Sequence, residues 1–183
     1  MKKLLIAVFG LLILNCGGAE SNFEFGTGVK VWKTLPVYVD TDFPEADQEV
    51  YDVYEDVFGA PIFAVADDEH EADCFFTYPD QIEGDYDLFD DPVGITFIAT
   101  YGNRSTCSIQ IESDLEVGEK LYTWVVAHEL GHSLGFGHND NVHSLMYPDG
   151  SFRTLDPSDL QEEPFFSQVC EVYSPNGELP NCP

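Results

Sequence analysis

Positive charge is scarce in this chain. Against 34 Asp and Glu it carries only 7 Lys and Arg, a formal net charge of −27. Such a surface repels the phosphates of nucleic acid and of anionic membranes, so nucleic-acid binding is excluded. Divalent cations or basic partners suit it better, although most of these acids do no more than keep the surface solvated. Long apolar runs are also missing. The longest, Leu4 to Leu14, is too short to span a bilayer. No internal repeat or low-complexity tract appears, so solenoid and tether architectures are excluded for the bulk of the chain. With 183 residues the chain has the size of a single domain with a sizeable core.

The apolar run has the character of an export signal. Lys2 and Lys3 precede it and Gly17 and Gly18 follow it. Residues 1–15 therefore read as a signal peptide. Leu12-Ile13-Leu14-Asn15-Cys16-Gly17 resembles a bacterial lipobox, which makes Cys16 a candidate for lipidation. One lipid would attach the protein to a membrane of the bacterial cell envelope without spanning it; otherwise the protein is secreted. Removing Lys2 and Lys3 takes the net charge from −27 to −29.

Cysteine usage agrees with export. There are 5 cysteines, an odd number. If Cys16 takes lipid, Cys74, Cys107, Cys170 and Cys182 remain for two disulfides in an oxidising compartment. Four cysteines allow three pairings; Cys74–Cys107 with Cys170–Cys182 is preferred, but the sequence does not choose among them.

Residues 16–28 read as a Gly-rich tether and 29–183 as one domain. Within it, Val29–Asp40 is a strand candidate, and Phe43–Phe58 has helical spacing with Asp42 as a cap and Gly59 and Pro61 as stops. Ile62–Ala66, Asp73–Tyr78, Val93–Tyr101 and Ser105–Glu112 are further strand candidates. A helix is expected from Glu119 onward. A short C-terminal helix should begin at Asp156-Pro157 and stop near Pro164. The fold class is α+β: a twisted mixed sheet of about five strands with a long helix and a short C-terminal one.

That long helix runs into His128-Glu129-Leu130-Gly131-His132-Ser133-Leu134-Gly135-Phe136-Gly137-His138, which holds three of the chain's 5 histidines. A helix advances about 100° and 1.5 Å per residue, so His128 and His132 lie about 40° apart on one face, one turn apart. Both imidazoles can reach one ion at the usual Zn–N distance of about 2.0–2.1 Å. A continued helix would carry His138 about 9 Å beyond His132 and about 120° off its face. The chain must therefore leave the helix and return. Gly135 permits this, because glycine accepts the positive φ of a helix end, and Gly137 offers a second joint. Three histidines then hold one Zn2+ with the fourth position open, as in catalytic zinc sites. Glu129 stands beside the ligands, placed as a base rather than as a ligand. His70, among acids, and His143, in a loop, read as surface residues.

HExxHxxGxxH followed by a Met-containing turn, here Ser144-Leu145-Met146-Tyr147-Pro148, resembles the metzincin signature. The Ala-His-Glu-Leu-Gly-His core and the Met-Tyr-Pro ending are most similar to the matrixin branch. The resemblance implies a zinc-dependent endopeptidase that hydrolyses protein or peptide substrates with a zinc-activated water and Glu129 as general base. Met146 would floor the three imidazoles. It also implies that substrate pairs along an edge strand, matched by Gly94–Thr100, with Gly94, Ile95 and Thr96 as substrate-binding candidates. Trp124, four residues before His128, would shape the pocket on the primed side; it reads equally well as core. The loop Asp85, Asp87, Asp90 and Asp91 is a candidate site for Ca2+, since matrixins carry a structural calcium before the corresponding strand. A monomer is expected. Two rival readings are a non-catalytic, surface-anchored binding protein of metzincin fold and a purely structural zinc site.

Overall fold

The computed structural model describes residues 11–15, 30–82, 93–101, 104–148 and 154–183; for 11–15 it describes the backbone. Six strands form one mixed sheet: β1 (Leu11–Asn15), β2 (Val37–Asp40), β3 (Phe63–Val65), β4 (Cys74–Thr77), β5 (Gly94–Tyr101) and β6 (Arg104–Ile111). Their order is β1-β5-β6-β4-β2-β3. Strands β3, β2, β4 and β6 run parallel to their neighbours. Strand β5 reverses against β6, from Gly94 opposite Ile111 to Tyr101 opposite Arg104. Five of these strands match the expected sheet; β1 is the addition, paired antiparallel with the outer side of β5.

Helix α1 (Pro44–Phe58) buries Val50, Tyr51, Tyr54, Val57 and Phe58, an apolar stripe at helical spacing. Proline at the first turn is preset for a helix, and Gly59 at φ 77° ends it while its N–H bonds Glu55 O. Asp42 does not cap this helix. Phe43 occupies the cap position, and its N–H donates to Thr41 Oγ1 at 3.1 Å.

Helix α2 (Lys120–Ser133) is different in kind. From Trp124 to Ser133 every residue is buried. A helix buried on all sides needs cover on all sides. It packs against β5, β6 and α1. Tyr54 Oη ties α1 to it by donating to Ala127 O at 2.8 Å. Its last carbonyls, which no helical N–H can reach, take side-chain donors. Trp32 Nε1 donates to Ser133 O at 2.8 Å, and Tyr173 Oη to Leu134 O at 2.8 Å.

Those caps account for two departures from expectation. The expected first strand is confined to Val37–Asp40, because residues 30–36 run instead past the end of α2, where Trp32 is buried. And α3 (Pro157–Gln161) is followed by a further helix, α4 (Phe165–Tyr173), which carries Tyr173. Pro164 stands at the N-cap of α4, so it marks a start as well as a stop. Asp156 does cap α3: its side chain accepts from Ser158 N at 2.8 Å, and Asp159 answers by accepting from Asp156 N at 3.0 Å.

Two disulfides fix the frame. Cys74–Cys107 joins β4 to β6 at directly opposed positions, and Cys170–Cys182 ties α4 to the C-terminal residues. This is the preferred pairing. No described helix is long and apolar enough to cross a membrane.

Candidate metal centre and active site

His128 and His132 project from the same side of α2. After Ser133 the helix ends, and Gly135 takes φ 94°, which turns the chain back. Gly137 is not among the glycines with positive φ, so the return needs one left-handed joint rather than two. His138 then arrives beside the other two. The three Nε2 atoms lie 3.0 Å (His128–His132), 3.2 Å (His128–His138) and 3.2 Å (His132–His138) apart.

These spacings suit a shared metal ion. His128 Nδ1 lies 2.6 Å from Leu145 O, and His132 Nδ1 lies 2.8 Å from Phe136 O. A carbonyl only accepts, so both Nδ1 atoms carry the proton, and both Nε2 atoms of the neutral rings are bare lone pairs. Lone pairs held 3.0 Å apart repel unless a cation lies between them. Protonation does not supply that cation. Burial, then the neighbouring His132 and His138, holds His128 well below the ordinary imidazole value. Burial, then His138, pushes His132 down to about 3, and burial brings His138 to about 4. Tetrahedral ligands at about 2.0–2.1 Å from zinc stand about 3.3 Å apart, close to the separations found. The donor set fits one zinc ion, and the carbonyls on Nδ1 are the partners that orient zinc-ligating imidazoles.

Glu129 is fully buried and faces β5. Thr96 Oγ1 lies 2.6 Å from Glu129 Oε2 and 3.0 Å from Glu129 O. Two residues earlier on the same face of β5, Gly94 leaves room for the other oxygen: a Cβ there would sit 2.8 Å from Oε1. Beneath the helix, a Cβ on Gly131 would collide with Met146 Sδ, so Gly131 lets the thioether lie against the ligand helix. The turn holding Met146 is pinned from both sides. Asn139 N donates to Met146 O at 3.0 Å, and Leu145 N donates to Asp159 O at 2.9 Å.

A sequence profile described as Matrixin matches residues 32–163. The chain belongs to the matrixin family. It is also similar to stromelysin-1 of Rattus norvegicus, with 36% identity over 87 residues, 44% of this chain and 18% of that protein. The match thus spans under a fifth of that relative's length.

In this matrixin Trp124 is buried, 2% exposed, with its ring centroid 4.8 Å from that of His128. Its Nε1 has no hydrogen-bond partner. Ile95 is likewise buried. The matrixin's remaining histidines stand apart from the centre: His70 and His143 are exposed. Cys16 and the acids Asp85, Asp87, Asp90 and Asp91 lie outside the described residues. Among the described residues, His128, His132 and His138 are the group that could hold a metal.

Three partners of the site residues, and one buried acid away from them, carry no clear signal in the sequence. The carbonyls of Leu145 and Phe136 carry no sequence signal, because any residue supplies one. Thr96, a substrate-binding candidate by resemblance, bonds Glu129, a partnership that no local pattern reveals. Asp47 reads as one more surface acid, yet it is buried and accepts from Tyr122 Oη at 2.8 Å and from Thr41 Oγ1 at 2.6 Å.

Proposed function

We propose that this matrixin is a zinc-dependent endopeptidase. The observation that carries the reading is the lone-pair cluster of His128, His132 and His138 with the Glu129 carboxylate on the next residue of the same helix. Bound to the three Nε2 atoms, zinc would supply Lewis acidity, polarising a peptide carbonyl and lowering the pKa of a water. Glu129 would accept a proton from an attacking water and deliver it to the departing amine, as a general base and then a general acid. The buried walls around Glu129 and Met146 exclude bulk water from the proton transfer and hold the carboxylate in place.

Substrate binds as an extended strand along the outer edge of β5. Leu11–Asn15 already pairs there antiparallel over five residues, from Leu11 opposite Ala99 to Asn15 opposite Ile95, so this edge accepts a peptide backbone. Removal of residues 1–15 on export frees the edge for another chain. Trp124, packed against His128, makes the primed-side pocket shallow and favours small residues after the scissile bond. The acidic surface draws basic peptides by long-range attraction. The two disulfides fit an extracytoplasmic setting. Attachment through a lipid on Cys16, and calcium at Asp85, Asp87, Asp90 and Asp91, remain part of the proposal.

Cleavage of a peptide library with and without a chelator tests the reading. Activity that the chelator abolishes and zinc restores supports it. Absence of cleavage with one zinc ion bound, or cleavage indifferent to the chelator, contradicts it.

A further inference from the structure

We infer that Thr96 is a positioning residue for the Glu129 carboxylate, and that its side chain takes no part in binding substrate. The inference rests on the endopeptidase reading for the meaning of Glu129, but its geometry stands independently. The hydroxyl of Thr96, fully buried, spends its one proton on Glu129. That hydroxyl lies 2.6 Å from Oε2, a short charge-assisted separation, and 3.0 Å from the backbone carbonyl of the same glutamate. It therefore fixes the carboxylate against both the helix and the sheet.

The neighbouring position completes the arrangement. Gly94 shares the inner face of β5 with Thr96, since strand side chains alternate. A Cβ at Gly94 would sit 2.8 Å from Oε1 and from Val125 Cγ1. Thr96 thus grips one carboxylate oxygen while Gly94 leaves space for the other. A flexible glutamate has three side-chain torsions to fix. Fixing them beforehand lowers the cost of reaching the reactive geometry, and a misplacement of about 1 Å can cost about 10²-fold in rate. The strand on which substrate is proposed to lie also sets the base, so the two are held in register by one element.

The test uses Thr96→Val, which keeps the shape and removes the hydroxyl, and Thr96→Ser, which keeps the hydroxyl. With the wild-type protein cleaving a peptide, Thr96→Val should lower kcat at least tenfold with KM within about twofold, and Thr96→Ser should recover most of the loss. Equal kcat in the two variants, or a loss confined to KM, overturns the inference. A second readout needs no activity. Thermal unfolding of metal-free wild type, Thr96→Val, Glu129→Ala and the double variant should give losses in Tm that are less than additive, because both substitutions break the same bond. Additive losses overturn the inference too. If the wild type binds zinc yet cleaves nothing, the endopeptidase reading fails, and the unfolding cycle still decides whether Thr96 holds Glu129.

Discussion

His128 and His132 hold their Nε2 atoms 3.0 Å apart while each spends its Nδ1 proton on a backbone carbonyl, Leu145 O and Phe136 O. The three neutral imidazoles thus converge on one point as a preformed donor set for a cation. Zinc should therefore stabilise the protein strongly. At a free zinc concentration about 1,000 times Kd the gain is about 4 kcal/mol. For a chain of this size that moves Tm by roughly 8–16 °C. Calorimetry with and without chelator checks it; an unchanged Tm would contradict a preformed zinc site.

The return of His138 depends on Gly135 at φ 94°. Any L-residue there pays about 1–2 kcal/mol of backbone strain. Gly135→Ala should therefore lower Tm and, more tellingly, weaken zinc binding, because relief of the strain displaces His138. Gly137→Ala, at a glycine without positive φ, should do much less. Zinc titration of both variants distinguishes the two positions.

Gly131 offers a reversal of sign. In an ordinary helix interior, Gly→Ala stabilises by about 1 kcal/mol. Here the added methyl would enter the space of Met146 Sδ. Gly131→Ala should instead destabilise by about 1–3 kcal/mol through overpacking. Denaturant unfolding measures it, and a stabilised variant would show that Met146 does not lie against the ligand helix.

Asp47 should make stability pH-dependent. Burial raises its carboxyl above the ordinary value, against the hydrogen bonds from Thr41 and Tyr122 that lower it. A folded-state pKa above the unfolded one gives stability that is complete below the unfolded value, 3.8, and is lost as pH rises through the folded value. The stability of the wild type relative to Asp47→Asn should therefore fall as pH climbs from 3.8 toward neutrality. Taking the difference between the two proteins cancels the shared contribution of the other acids. A difference constant with pH would show that Asp47 titrates alike in both states.

Much of this site was legible because its chemistry demands particular residue types at fixed spacings. Helical periodicity alone places His128 beside His132, and the same arithmetic requires a break before His138, which Gly135 provides. The preferred cysteine pairing holds as well: Cys74 and Cys107 fall opposite each other on parallel strands. What escaped the sequence depended on tertiary contact. The strand expected from Val29 is short because Trp32 and its neighbours cap the end of α2, a role that propensity cannot register. Helix α4 was hidden by Pro164, which ends one helix and opens the next. Thr96 and Asp47 gained their partners from elements 33 and 75 residues away, beyond any local pattern.

The most direct test compares the wild type with Glu129→Gln, each loaded with one zinc ion per chain, in hydrolysis of a peptide they both bind. The substitution keeps the size of the side chain and the three histidines while removing the base. The variant should retain its zinc and lose about 10²–10⁴-fold in kcat. A zinc-loaded Glu129→Gln that cleaves as fast as the wild type would contradict the account.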